Sequence, residues 1–245
     1  MRINLPVINV YERNTIKSKI STQLLFGDNF KKLRDFGDWI KIKNETDGYI
    51  GFIKKNKFSQ RYKNTHKVCS LYANIYLKPS IKYKHKNKLS FGSKLKIIKK
   101  NGTFYNFDKF WIKKKDVKKI NFKTKKIFDG IKKFINVKYK WGGKHFKGVD
   151  CSGLIQLFLN FNNIFCPRDA KDQIKYFKRR IKIKYIKKGD LIFWKDHVAL
   201  AISKSHLIHA YGPLKKTIIM PIKSTINRIN KTANLKVLEI KRPRL

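Results

Sequence analysis

Cys151 stands between an acid and a small pair, in Asp150-Cys151-Ser152-Gly153, at the head of the apolar run Leu154-Ile155-Gln156-Leu157-Phe158-Leu159. The run reads as a helix. A thiol at its N-terminus faces unpaired N–H groups and the positive end of the dipole, which favours thiolate. Asp150 and Ser152 are the residue types of a helix cap. Taken alone, the tetrapeptide reads equally as a structural cysteine beside an ordinary cap. What separates the two readings lies further along the chain. His197 opens the strand-like His197-Val198-Ala199-Leu200-Ala201-Ile202, and His209 lies in Leu207-Ile208-His209-Ala210, with turn-forming Ser203-Lys204-Ser205 between. A turn at or next to Ser203 sets the two histidines opposite or diagonal across an antiparallel pair, at about 5 Å or about 7–8 Å. A thiol, a base and a residue that orients the base are the parts of an activated nucleophile.

Tyr139-Lys140-Trp141-Gly142-Gly143, Asp150 to Gln156, Cys166-Pro167-Arg168-Asp169 with Gln173, Gly189 to Trp194, His197-Val198-Ala199 and Ile208-His209-Ala210 follow one another in order. In order and spacing they resemble the NlpC/P60 cysteine peptidases over about residues 125–240. The resemblance implies a papain-like α+β fold, with the cysteine on a helix and the histidines on an antiparallel sheet. It also implies an enzyme that cuts peptidoglycan stem peptides at the D-γ-glutamyl-L-diamino-acid bond, with no cofactor. Cys151 would be the nucleophile, His197 the base and His209 its orienting partner. Tyr139 and the Cys151 N–H would form the oxyanion hole, unless Tyr139 is a core aromatic. In relatives of the dipeptidyl peptidase VI type, Asp150 and Ser152 help hold the free amine of the substrate's L-Ala; the plain alternative for Asp150 is the helix cap. Arg168 and Asp169 would meet substrate carboxylates or pair with their surroundings. Ala170 stands where such enzymes often carry serine, which removes one expected hydrogen bond.

The elements before this stretch are short strands. Val7-Ile8-Asn9-Val10-Tyr11, Trp39-Ile40-Lys41-Ile42 and Tyr49 to Ile53 after the Asp47-Gly48 turn read as a small barrel over residues 1–60. The string Ser21-Thr22-Gln23-Leu24-Leu25-Phe26-Gly27-Asp28 is similar to the bacterial SH3-like hallmark, with Asp28 in place of glutamate. Relatives use an acid there toward the substrate amine, so Asp28 either supplies a second negative charge or is surface charge. Leu89-Ser90-Phe91-Gly92 echoes Leu24-Leu25-Phe26-Gly27, which predicts a second, degenerate SH3-like barrel over 67–118. Lys113 to Lys126 reads as a linker, and Cys69 as a core residue of a strand. Ile127, Phe128, Ile131, Phe134 and Ile135 recur at helical spacing and predict a helix leading to Tyr139. Strands are expected at Thr217–Met220 and Lys236–Ile240, and no chemistry is read in the last residues, from Lys241.

Of 245 residues, 60 are Lys or Arg and 15 Asp or Glu, a net charge of +45. Lysine outnumbers arginine five to one, is scattered, and is accompanied by abundant Ile, Asn, Phe and Tyr, the signature of an A/T-biased genome. Specific nucleic-acid binding is therefore not expected, although a polyanion-binding protein that has kept the fold is a competing reading. Cys69, Cys151 and Cys166 are the three cysteines, too few for a disulfide framework. No apolar leader or membrane-length run is read in the sequence, and the expectation is a cytoplasmic enzyme of cell-wall peptide recycling. Its partner would be a peptidoglycan-derived peptide with a free N-terminal L-Ala; an exported hydrolase acting on intact wall is the alternative. His206 and His209 fall on opposite strand faces, and no Cys pair has ligand spacing, so no metal is expected.

Overall fold

The structure, a computed structural model, describes residues 1–243. The chain divides into two units: residues 1–123 with 144–146 and 161–163, and residues 124–143, 147–160 and 164 onward.

In the first unit, alternating apolar residues build a five-stranded antiparallel sheet. Its strands are β1 (Val7–Tyr11), β2 (Ile20–Leu25), β3 (Phe30–Phe36), β4 (Trp39–Asn44) and β5 (Ile50–Lys54), in spatial order β2-β1-β5-β4-β3. Ile3, Val10, Leu24, Phe30, Ile40, Ile42 and Ile53 form its core. Eight short strands follow: β6 (His66–Val68), β7 (Tyr72–Tyr76), β8 (Lys84–Ser90), β9 (Lys94–Leu95), β10 (Lys99–Asn101), β11 (Phe104–Phe107), β12 (Phe110–Lys113) and β13 (Val117–Lys119). They make a five-stranded sheet, β10-β11-β12-β7-β8, and a three-stranded one, β13-β6-β9. These enclose Val68, Ala73, Ile75, Leu89, Leu95, Tyr105, Phe107, Ile112 and Val117.

The faint sequence echo corresponds to one turn made twice. Gly27 and Gly92 both adopt left-handed φ, +83° and +84°. Gly27 N–H donates to Ile3 and Gly92 N–H to Val68, while Asp28 and Ser93 each donate back three residues, to Leu25 and Ser90. A Cβ on Gly27 would lie 1.9 Å from the Lys94 carbonyl oxygen, so glycine is required there for space as well as for φ. The expected linker is largely structured: Lys114–Asp116 is a 3-10 turn and Val117–Lys119 pairs with β6. Cys69 lies just beyond β6, half-buried, and is not a core strand residue.

In the second unit the short strands β14 (Lys144–His145, assigned to the first unit) and β15 (Gly148–Val149) precede helix α1 (Cys151–Phe161). Then come α2 (Ala170–Tyr176), β16 (Leu191–Trp194), β17 (His197–Ala201), β18 (His206–Tyr211), β19 (Lys216–Pro221), α3 (Ile222–Ala233) and β20 (Glu239–Lys241). The sheet runs β19-β18-β17-β16-β20, all antiparallel. Helix α1 is buried along nearly its whole length, which explains its continuous apolar sequence.

The helix expected from Ile127 to Ile135 is only a 3-10 turn, Ile131–Phe134. Gly130 at φ +80° and Asn136 at +65° break the chain on either side. The apolar residues still do their packing, since Phe128 and Phe134 both meet Phe158 of α1. The C-terminal strand, Glu239–Lys241, overlaps only the last two residues of the expected Lys236–Ile240, and α2 and α3 were not anticipated. Nor was the role of Arg242, which donates to both oxygens of buried Asp190, from Nε at 2.7 Å and from a terminal nitrogen at 2.8 Å. Among the described residues, no helix is long and apolar enough to cross a membrane.

Candidate active site

Cys151 is the first residue of α1 because Asp150 caps it. Asp150 Oδ1 accepts from Gly153 N–H at 2.7 Å, and the Asp150 carbonyl accepts from Leu154 N–H at 3.0 Å. The thiol is buried, and its Sγ lies 4.0 Å from the Asp196 carbonyl oxygen, beside His197. The sequence suggested a thiol lowered by the helix terminus. Burial reverses this: desolvation, reinforced by the Asp150 charge, pushes the Cys151 thiol up to about 12.

The histidines are placed by the sheet. β16 and β17 join through the two-residue turn Lys195-Asp196, with Asp196 at φ +57°. β17 and β18 pair with Leu200 opposite Ile208 and Ala201 opposite Leu207. Continuing that register sets His197 opposite Tyr211 and puts His209 on the diagonal of the same face. The rings meet, with Nε2 of His197 2.9 Å from Nδ1 of His209. His209 stacks on Tyr211 with centroids 4.6 Å apart, and its Nε2 lies 3.5 Å from Met220 Sδ on β19. Burial lowers His197 to about 4 and holds His209 well below its usual range, where the neighbouring His197 adds to the effect. The resting pair is therefore a neutral imidazole and a neutral thiol. His206 points elsewhere, exposed and bonded to Ser205.

Tyr139 is held by a bridge to Val149 and by its N–H on the Lys215 carbonyl at 2.8 Å. Desolvation, with Cys151 and Asp150 nearby, raises its phenol, which stays a donor at any ordinary pH. The turn between Tyr139 and Asp150 is tight: Asp150 N–H reaches the Gly143 carbonyl at 3.2 Å. A Cβ on Gly143 would sit 2.6 Å from the Gly148 carbonyl oxygen and 2.8 Å from that of Lys140.

Asp150, Ser152 and Arg168 form one buried cluster. Arg168 makes a two-pronged bridge to Asp150, at 2.5 Å and 3.0 Å, and also donates to Ser152 Oγ at 2.9 Å. The Asp150 charge, expected to face a substrate ammonium, is thus already compensated inside the protein. Asp169, half-buried, stands at the N-cap of α2, its carbonyl accepting from Gln173 N–H. Asp28 lies in the first unit, where it accepts from Leu25 N–H at 2.9 Å and pairs with Lys94 at 3.1 Å.

Three contributors carry no role in the sequence reading, although Gln173 stands in one of its motifs. Gln173, fully buried, bonds the carbonyls of Ser152 and Pro167 and ties α2 to the start of α1. Tyr211 was legible in principle, being two residues past His209 and so on the same strand face. Met220 was not, because its approach depends on the β18–β19 register.

Residues 136–233 match the NlpC/P60 family, and residues 10–58 match the bacterial dipeptidyl-peptidase Sh3 domain. The chain is 26% identical to a gamma-D-glutamyl-L-lysine dipeptidyl-peptidase of Bacillus cereus, over 85% of this chain and 72% of that protein. It is 38% identical to dipeptidyl-peptidase 6 of Lysinibacillus sphaericus over 31% of this chain and 28% of that one. The crystal structure of an NlpC/P60 family protein from Bacillus cereus superposes with a TM-score of 0.80, at 20% identity and 98% coverage of both chains, and shares its fold. NlpC/P60 peptidases are cysteine peptidases, and this chain carries an NlpC/P60 domain together with a bacterial dipeptidyl-peptidase SH3 domain.

Proposed function

We propose that the protein is a cysteine peptidase that hydrolyses the γ-D-glutamyl-L-diamino-acid bond of peptidoglycan stem peptides bearing a free N-terminal L-Ala. The observation that carries the reading is the pairing of His197 with His209 on one sheet face, beside a cysteine capped at a helix start. The printed activity of the Bacillus cereus relative supports the bond and the peptide class.

In this reading Cys151 Sγ attacks the γ-carbonyl carbon while its proton passes to His197. Since Nε2 of His197 is engaged by His209, Nδ1 is the nitrogen that takes it. The oxyanion that forms meets the Cys151 N–H at the head of α1 and the Tyr139 hydroxyl. Each such donor contributes about 3–4 kcal/mol to lowering the barrier. The tetrahedral species collapses as His197 returns the proton to the leaving amine of the diamino acid. Water then attacks the thioester, assisted by the same imidazole, and frees the thiol and the L-Ala-γ-D-Glu product. The buried Asp150–Arg168–Ser152 cluster fixes the start of α1 and lends a preformed polar wall for the substrate main chain, with Asp169 beside it on α2. Asp28 keeps only the weaker role of a charge set in the SH3 domain turn.

The test is the release of L-Ala-γ-D-Glu from the tripeptide L-Ala-γ-D-Glu-L-Lys, from its diaminopimelate counterpart, and from N-acetylated forms of both. Hydrolysis of the free peptides and at least tenfold slower cleavage of the acetylated ones is expected. Equal rates on both, or release from intact sacculi at a comparable rate, would move the protein to the general wall hydrolases.

A further inference from the structure

Met220 lies at the outer end of the chain of side chains that runs inward through His209 and His197. It sits on β19 across from Leu207, while His209 faces Ile218, so Met220 occupies the diagonal position next to His209 on the same face. Its Sδ is 3.5 Å from His209 Nε2. A thioether sulfur accepts hydrogen bonds and has nothing to donate.

That asymmetry propagates. If sulfur accepts, the proton of neutral His209 is on Nε2, which leaves its Nδ1 as a bare lone pair. A bare Nδ1 at 2.9 Å requires His197 Nε2 to be the donor. With its proton on Nε2, neutral His197 presents a lone pair on Nδ1, the form that can take a proton from a thiol. The opposite ordering, with His209 Nδ1–H donating to His197 Nε2, would leave the His197 proton on Nδ1 and disable it as a base. Burial keeps both rings neutral, so a tautomer choice exists to be made. The stacked Tyr211 ring holds the plane of His209 and has no part in choosing its proton position.

We infer that Met220 is a positioning residue: its sulfur selects the Nε2–H tautomer of His209 and, through it, the base-competent tautomer of His197. The inference about tautomers follows from the hydrogen-bond geometry of two neutral rings. Its consequence for catalysis rests on the peptidase reading above.

The composition makes an unusually clean experiment available. The chain has two methionines, Met1 and Met220, and Met1 lies in the first unit, its side chain about half exposed. Growth in a methionine auxotroph supplied with norleucine replaces the Met220 sulfur by a methylene and retains the side-chain shape. Selenomethionine replaces it by another acceptor. Long-range 1H–15N spectra of the imidazoles near pH 7 read the tautomers without any substrate.

The parent and the selenomethionine protein are expected to hold both His197 and His209 as Nε2–H tautomers. The norleucine protein should show the Nδ1–H form of both rings, in exchange. On the free tripeptide the norleucine protein should lose about three- to tenfold in kcat with KM unchanged, and selenomethionine should restore it. Identical imidazole spectra in the norleucine and parent proteins would overturn the inference, as would a parent whose His209 carries its proton on Nδ1. A parent that shows the expected tautomers but cleaves no stem peptide would leave the tautomer assignment standing and overturn the peptidase reading instead. Met220→Leu is a second variant with the same expected spectrum as norleucine.

Discussion

At the scale of single residues, the site is defined by burial more than by the helix dipole. Cys151 and His197 are both driven toward their neutral forms. An imidazolium cannot accept a proton, so the proposed mechanism requires neutral His197, and burial extends the range of that form downward. The acid limb of kcat/KM is therefore expected near pH 4, with a flat profile from about pH 5 to 9; a limb near pH 6.5 would indicate a solvated base. The same shift sets a stability trend. The unfolded chain protonates this histidine below about 6.5, the folded one only near 4, so stability is complete above 6.5 and is lost progressively as pH falls toward 4. Cys151→Ala should abolish hydrolysis with an unchanged circular dichroism spectrum. Cys166→Ala and Cys69→Ala should retain it, although the first empties a fully buried position and should lower the melting temperature. Asp150→Asn keeps a capping oxygen for α1 but leaves the Arg168 guanidinium buried opposite a neutral group. About 3–5 kcal/mol of stability should go, read by urea unfolding. A variant as stable as the parent would mean that Arg168 finds its counter-charge elsewhere.

At the scale of elements, three devices bring the parts of the site together. The capped start of α1 presents the thiol, the register of β17 against β18 pairs the histidines, and the tight turn from Tyr139 to Asp150 lines up the phenol with the cap. The turn depends on Gly143, where the backbone of Gly148 and Lys140 leaves no room for a side chain. Gly143→Ala should therefore push the segment apart and cost at least tenfold in kcat on the free tripeptide. Gly102→Ala is the comparison: it also lies in a turn but has open space around it, at φ +52°. It should lose some stability through backbone strain and keep its activity. Equal activity losses in the two variants would show that Gly143 has no special part in the site.

At the scale of the whole molecule, the excess of positive charge is spread over both units, and some of it covers aromatic rings. Lys99 lies over Trp111, Lys88 over Tyr72 and Lys184 over Tyr185, at 4.1–5.5 Å from the ring centroids. Such lysines bury their stems and solvate their heads. Binding to nucleic acid should accordingly be weak, indifferent to sequence and steeply dependent on salt. A titration of two unrelated duplexes between 50 and 300 mM salt checks this, and nanomolar binding to one of them at physiological salt would overturn it.

The amino-acid order by itself determined the residue types of the candidate site and the local framework. Asp150-Cys151-Ser152-Gly153 before a continuous apolar run specifies a capped, buried helix with a thiol at its head. The alternation around Ser203 specifies a hairpin that joins two histidines. The paired Phe-Gly turns specify a motif used twice in the first unit. Helix α2 was readable from Asp169 and Asp172 at its start and was passed over, whereas the apolar spacing before Tyr139 overstated a helix that Gly130 and Asn136 interrupt. What only the tertiary structure decided is what surrounds those residues. Arg168 neutralises Asp150 from 18 positions away, Met220 reaches His209 through the pairing of β19, and burial sets the protonation of the thiol and the imidazole. None of these is legible locally, because desolvation and the pairing of distant charges depend on which segments the fold packs together, and sequence patterns report only the period of each segment.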